Sequence, residues 1–149
     1  MMGNGTDKTQ DRLALPSRLS EIARIPVWIR SLASRHAMPE KVQFAINLCL
    51  EEVVANIIRH SYREETDRSV SVRFTMPQRG LFVFVVEDEA PGFNPLDASD
   101  MPPPDLSQQI QIGGQGLRLV RRFADSLEYE RTSTGNRLRL SFSAAPSAV

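Results

Sequence analysis

Glu52 and Asn56, a carboxylate and an amide four residues apart in Glu52-Val53-Val54-Ala55-Asn56, are the first residues here whose types and spacing could do chemistry. On a helix that spacing projects both side chains from one face. An amide oxygen suits Mg²⁺, a hard ion that keeps several waters and bridges substrate phosphates. A carboxylate beside it can accept a proton from an attacking hydroxyl or water. The same pair fits an ordinary solvated helix face equally well. A second group, Asp88-Glu89-Ala90-Pro91-Gly92, ends an apolar run. A carboxylate there can accept a hydrogen bond from an exocyclic amino group such as that of adenine, and Gly92 lets the backbone approach a planar base. A plain strand end with its turn accounts for these residues too. The third group is Gly113-Gly114-Gln115-Gly116 ahead of a helical pattern. Glycines and a helix start favour phosphate oxygens, yet this is neither a P-loop nor a full Gly-x-Gly-x-x-Gly after a strand.

The elements that must position these groups follow from periodicity. Leu13 to Leu15 reads as a short edge strand ended by Pro16, and Ser17 or Ser20 can cap a helix running to about Arg35. In that helix Ile22, Ile25, Trp28, Ile29 and Leu32 recur at helical spacing, and Pro26 should start a new turn or kink it. Pro39 and Glu40 open a second helix that runs to about Tyr62. Val42, Ile46, Cys49, Leu50, Val53, Val54 and Ile57 make its apolar arc, and Glu52 and Asn56 fall just beyond one edge. Glu51 points about 100° away from Glu52 and reads as a surface residue.

Val70, Val72, Phe74 and Met76 alternate with polar residues, as in a half-buried strand, and Leu81 to Val86 is a continuous apolar run of a central strand. Residues 94–113 form a long irregular stretch with Pro95, Pro102, Pro103 and Pro104, which reads as a lid. Leu117, Val120 and Phe123 then mark a helix, and Leu127, Tyr129, Leu138, Leu140 and Phe142 mark two last strands. The order predicts an α+β fold, a two-layer α/β sandwich with a mostly antiparallel mixed sheet and helices on one face. The βαβ alternation of a Rossmann domain is absent. The expected organisation is a flexible segment 1–12, one domain 13–143 and a flexible tail 144–149.

A chain of 149 residues, 41% hydrophobic and 24% charged, suits one domain with a real core. Eighteen basic residues balance eighteen acidic ones, so nothing points to direct nucleic-acid binding or to a membrane surface. The single Cys49 excludes an internal disulfide and a cysteine-only metal site. No apolar run nears the roughly 20 residues that span a bilayer, and the polar start lacks a signal peptide's hydrophobic segment. A cytoplasmic protein is the expectation.

Together, and in this order, the three groups resemble a known family. Glu51 to Tyr62 is similar to the N box of the anti-sigma-factor serine kinases (the RsbW and SpoIIAB type) of the GHKL, or Bergerat-fold, ATPase superfamily. Asp88 to Gly92 is similar to their first glycine box and Gly114-Gln115-Gly116-Leu117 to their second. Gly135-Asn136-Arg137-Leu138 resembles the family's ending, so the likeness covers about Leu13 to Phe142. The resemblance implies a Bergerat fold that uses ATP and Mg²⁺. It implies Glu52 as general base, Asn56 as Mg²⁺ ligand, Asp88 as adenine reader and Gly92 shaping the adenine pocket. Gly114, Gly116 and Leu117 would bind the nucleotide's phosphate end under the lid.

The activity it implies is serine/threonine phosphorylation of an anti-anti-sigma (STAS) partner, combined with sequestration of a sigma factor, in a homodimer that meets through the Ser17 to Arg35 region. The alternative is a nucleotide-dependent protein-binding regulator without significant kinase activity. A sensor histidine kinase fits poorly: His36 precedes Ala37 rather than an acidic residue, and His60 lies inside the candidate ATP site. Two departures stand out. Many superfamily members carry a Thr where this chain reads Asn136-Arg137, and the lid has no basic residue, leaving Arg118, Arg121 and Arg122 as candidates for the γ-phosphate.

Overall fold

The computed structural model describes residues 10–62, 67–89 and 118–144. Strand β1 (Gln10–Pro16) leads through a 3₁₀ turn (Leu19–Ala23) into helix α1 (Arg24–His36), then helix α2 (Glu40–Asn56) and a π-helical turn (Ile57–Ser61). Strands β2 (Ser69–Gln78) and β3 (Leu81–Asp88), helix α3 over 118–123, and strands β4 (Ser126–Arg131) and β5 (Asn136–Ser143) complete it. The sheet order is β1-β2-β3-β5-β4 and each of these pairs is antiparallel. No helix among the described residues is long and apolar enough to cross a membrane. The lid 94–113 lies outside the described residues, as do Gly92, Gly114, Gly116 and Leu117.

Alternation decides which side of the sheet the helices cover. Leu13 and Leu15, Val70, Val72 and Phe74, Phe82, Phe84 and Val86, and Leu138, Leu140 and Phe142 are all buried there. Ile25, Ile29 and Leu32 of α1 and Ile46, Leu50, Val53 and Val54 of α2 close over them. An aromatic line runs through the layer: Phe74 lies 5.2 Å from Phe84, and Phe84 meets Trp28 edge-on at 5.9 Å and Phe142 at 6.1 Å. Such offset and edge contacts add about 0.5–1.5 kcal/mol each beyond area burial. On the opposite face Val83 and Val85 are also buried. Val85 stands in register between Arg73 and Arg139, whose aliphatic stems can cover it.

The helices start and stop for local reasons. Pro26 occupies the third position of α1, inside the first turn where its missing N–H costs nothing, and the chain switches there from 3₁₀ to α geometry. Pro39, at φ −62, is the N-cap of α2. Between the two helices Ala37 takes a left-handed conformation with φ 54, and the Met38 N–H bonds the Ala33 carbonyl at 3.1 Å. This is a Schellman-type ending without the usual glycine.

Two chain-end boundaries differ from the sequence expectation. Strand β1 begins at Gln10, so residues 10–12 are paired with Thr75, Phe74 and Arg73 rather than part of a flexible lead-in. Asp11 explains the difference. Its carboxylate accepts hydrogen bonds from Trp28 Nε1 at 3.1 Å and Arg35 Nη2 at 2.8 Å, which tie the strand to α1. Partial burial pushes that carboxyl up, but the bonds from Arg35, Trp28 and the Arg12 N–H outweigh it and hold the group below its ordinary value. At the other end Ala144 still donates its N–H to the Gly80 carbonyl at 2.7 Å.

Two measurements test this account of the frame. Ala37→Gly relieves the left-handed alanine and is expected to stabilise the domain by about 1 kcal/mol, raising Tm by roughly 2–4 °C in a thermal melt. Cys49 is fully buried and its thiol is pushed up to about 12 by that burial. It should therefore resist a thiol reagent at pH 8 in the folded protein and react fully in urea.

Candidate nucleotide site

Strand β3 carries Asp88 to the end of the sheet on the helix-facing side, in phase with Phe82, Phe84 and Val86. The carboxylate is buried, with Asp88 only 9% exposed, so it needs donors close by. One comes from the neighbouring strand. Asn136 is the register partner of Asp88, and its Nδ2 donates to Asp88 Oδ1 at 3.0 Å. The Tyr129 hydroxyl on β4 donates in turn to Asn136 Oδ1. Just before Asn136 stands Gly135, where an added Cβ would come within 1.8 Å of the Asp88 carbonyl oxygen. The β4–β5 turn thus lies directly on the Asp88–Glu89 backbone, a contact only glycine permits. Thr132 shapes that turn, its Oγ1 accepting the Gly135 N–H at 2.8 Å.

A second tie reaches the same strand end from α2. The Glu89 N–H donates to the Tyr62 hydroxyl at 2.8 Å, and that hydroxyl donates to the Ser69 carbonyl at 2.8 Å. One phenol therefore joins the end of β3 to the start of β2. Burial raises the Tyr62 hydroxyl above its ordinary value, the Glu89 N–H works against this, and the Asp88 and Glu89 charges add to the rise. Tyr62 thus stays a neutral donor. It gets there through the π-helical turn, whose wider bond runs from the Tyr62 N–H to the Ile57 carbonyl at 2.8 Å. Single π turns inside α-helices recur at functional sites.

Glu52 and Asn56 lie one turn apart on α2, both half-buried, beside the fully packed Val53 and Val54. The helical stretch extends beyond Asn56, but α geometry ends there. Glu51 is half-buried as well, contrary to its reading as a surface residue. Burial and then the neighbouring Glu52 charge push its carboxyl above the ordinary range. His60 is half-buried, and its Nε2 meets no hydrogen-bond partner among the described residues. Helix α3 is docked on α2: Val120 is buried, its carbonyl 3.9 Å from Cys49 Sγ, and Phe123 meets Phe44 edge-on at 6.0 Å. Arg118, Arg121 and Arg122 on α3 are all exposed.

The sequence alone gives Tyr62, Tyr129 and Gly135 no role at the site. Only the Asn136 partnership had a legible signal, because counting β3 against β5 outward from their apolar runs pairs Asp88 with Asn136.

These features define a two-layer α+β sandwich of the Bergerat type, with a buried carboxylate ending its central strand and a carboxylate–amide pair on the covering helix. The chain belongs to the histidine kinase-like ATPase domain family, whose model matches residues 15–142. Among curated relatives, the serine/threonine-protein kinase BtrW of Bordetella bronchiseptica is 27% identical over 119 residues, 80% of this chain and 83% of that protein. The serine-protein kinase RsbW of Bacillus subtilis is 24% identical over 136 residues, 89% of this chain and 83% of the relative. An anti-sigma F factor of Priestia megaterium is 25% identical over 87 residues, 58% of this chain and 59% of the relative. In fold, the chain is similar to the histidine kinase domain of the Erythrobacter litoralis EL346 blue-light activated histidine kinase. That match has a TM-score of 0.54 and 22% identity, covering 86% of this chain and 61% of that one.

The Tyr62 tie can be tested directly. Tyr62→Phe keeps the ring and removes the hydroxyl that serves both Glu89 and Ser69, so a loss of about 1–3 kcal/mol is expected by urea unfolding. Amide exchange at Glu89 should speed up in the same variant.

Proposed function

We propose that this chain is an ATP-dependent protein serine/threonine kinase that phosphorylates an anti-anti-sigma (STAS) protein and, in the opposite state of that partner, sequesters a sigma factor. Membership of the ATPase family and relatives named serine-protein kinases and anti-sigma factors support the reading. The observation that carries it is the buried Asp88 carboxylate, held by Asn136 at the end of the central strand, where an adenine amino group can be read.

In the proposed reaction Glu52 takes the proton from the partner's serine hydroxyl as its oxygen bonds to the γ-phosphorus. The bond from that phosphorus to the β–γ bridging oxygen breaks, and ADP leaves. Glu52 suits this work because a half-buried carboxylate one turn from an amide oxygen can face both water and substrate. The donor set fits Mg²⁺: Asn56 offers a hard amide oxygen, and no three His, Cys, Asp or Glu side chains converge among the described residues. An ion there would depend on the phosphates and water for most of its ligands, supplying charge neutralisation at the transferred group. Gly92 would flank the base, while Gly114, Gly116 and Leu117 would cradle the phosphates. The exposed Val27 and Leu19 in the Ser17–Arg35 region support a homodimer that meets there.

Titration with ATP and ADP, with and without Mg²⁺, tests the site. Asp88→Asn is expected to weaken ADP binding at least about tenfold, or roughly 1.4 kcal/mol, and Asn56→Ala to remove the Mg²⁺ dependence of ATP affinity. Glu52→Ala should keep ADP affinity within about threefold while phosphotransfer to the STAS partner falls about 10²–10⁴-fold. Absence of nucleotide binding by the wild type would sink the reading. Binding without any phosphotransfer would leave a nucleotide-dependent binding regulator.

A further inference from the structure

Asn136 supplies more to Asp88 than a stabilising contact, because the bonds around it have only one workable direction. An ionised carboxylate accepts hydrogen bonds and donates none, so the amide must turn its NH₂ toward Asp88. Its carbonyl oxygen then faces Tyr129, whose hydroxyl must donate. Tyr129 to Asn136 to Asp88 is a relay in which each member's orientation is dictated by the charge at its end. Rotating the amide would set two oxygens against each other and leave the Tyr129 proton without its acceptor.

The relay is also held in place by the backbone. Asn136 and Asp88 are register partners on adjacent strands, and both are buried, at 6% and 9% exposure. Gly135, immediately before Asn136, is pressed on the Asp88 carbonyl so closely that a Cβ would stand 1.8 Å away. Tyr129 sits on β4 opposite Leu138, partly buried against the core. A carboxylate with one oxygen engaged by a fixed amide keeps a single orientation in its plane.

We infer that Asn136, oriented by Tyr129, is a specificity-determining positioning residue for the nucleotide base, holding Asp88 as an acceptor that selects a purine with an amino group at position 6 over one with a carbonyl there. The inference rests on the nucleotide reading of Asp88 given above. Adenine presents an N–H donor to the fixed carboxylate. Guanine presents an oxygen, which an ionised and immobile carboxylate repels. A site built to bond an N–H rejects the analogue lacking it because its own polar group is then left unpaired.

The test is a set of dissociation constants for ADP, GDP and the 5′-diphosphate of purine riboside, which lacks the 6-amino group. They are measured calorimetrically for the wild type, Asn136→Leu, Asn136→Asp, Tyr129→Phe and Asp88→Asn. The wild type should prefer ADP to both analogues by tenfold or more. In Asn136→Leu the preference over the purine riboside analogue should fall to about threefold or less through weaker ADP binding, with the analogue's own affinity changed less than about threefold. Tyr129→Phe should move the same ratio in the same direction by a smaller factor, about threefold. It also serves as the deciding variant should Asn136→Leu fail to fold. Asn136→Asp sets two carboxylates together, so its ADP affinity should rise as pH falls and they come to share a proton.

The two failures are distinguishable. Loss of ADP binding in Asp88→Asn, with the base preference intact within about twofold in both Asn136→Leu and Tyr129→Phe, would overturn the role of Asn136 and leave the nucleotide site standing. No ADP binding by the wild type would overturn both.

Discussion

Leu81 to Val86 is apolar on both faces of one strand, and keeping both faces dry is the constraint on which the rest of the structure depends. Water is removed from one face only if a helix layer lies over Phe82, Phe84 and Val86, and α1 and α2 provide that layer. The other face has no such layer among the described elements. Instead Arg73 and Arg139 flank Val85 on the neighbouring strands, where their aliphatic stems can cover the valine. Glu87 then organises that face, accepting from Arg137 at 2.7 Å and lying 3.7 Å from Arg73. Surface pairs of this kind contribute little each.

The same burial makes the strand's end chemically unusual. A strand buried on both sides delivers its last inward residue into a dry place, and here that residue is Asp88. An isolated carboxylate there would cost several kcal/mol. The fold offsets this with the Asn136 amide, a donor placed by sheet register beside a glycine turn rather than on a flexible surface side chain. The site's polarity is therefore a product of strand pairing. A one-residue slip of β5 against β3 would carry Asn136 away from Asp88 and turn Leu138, Leu140 and Phe142 out of the core at the same time.

Much of this is legible in the sequence, and the parts that are not share a cause. The α2 arc, the β2 alternation, the β3 run and the position of Asp88 follow from periods of 3.6 and 2, which local sequence encodes directly. Gln10 to Arg12 read as a flexible lead because an edge strand of polar residues has no apolar signature. Its anchor, Asp11 on Trp28 and Arg35, is a contact across 17 and 24 residues. The π turn was invisible because a 3.6-residue template assumes that no extra residue enters a turn. Glu51 was placed outside by the same angular arithmetic, although the neighbouring elements leave it half-buried. Asn136 read as a departure from relatives that carry a threonine. Only cross-strand register shows that its amide reaches Asp88 directly.

The π turn also bears on how the two halves of the candidate site stay in register. Glu52 and Asn56 belong to the helix layer and Asp88 to the sheet, and packing of apolar side chains between layers tolerates small sliding. Hydrogen bonds tolerate much less, because they weaken steeply with distance and angle. Tyr62 ends the helical segment that begins with α2, and its hydroxyl holds both Glu89, next to Asp88, and Ser69, at the start of β2. The extra residue in the turn brings the ring to the strand ends. The chain that carries the carboxylate–amide pair is thus tied within six residues of Asn56 to the strand that carries Asp88. A site divided between a helix and a strand needs such a tie. Here it is one hydroxyl making two bonds, kept neutral by its own burial.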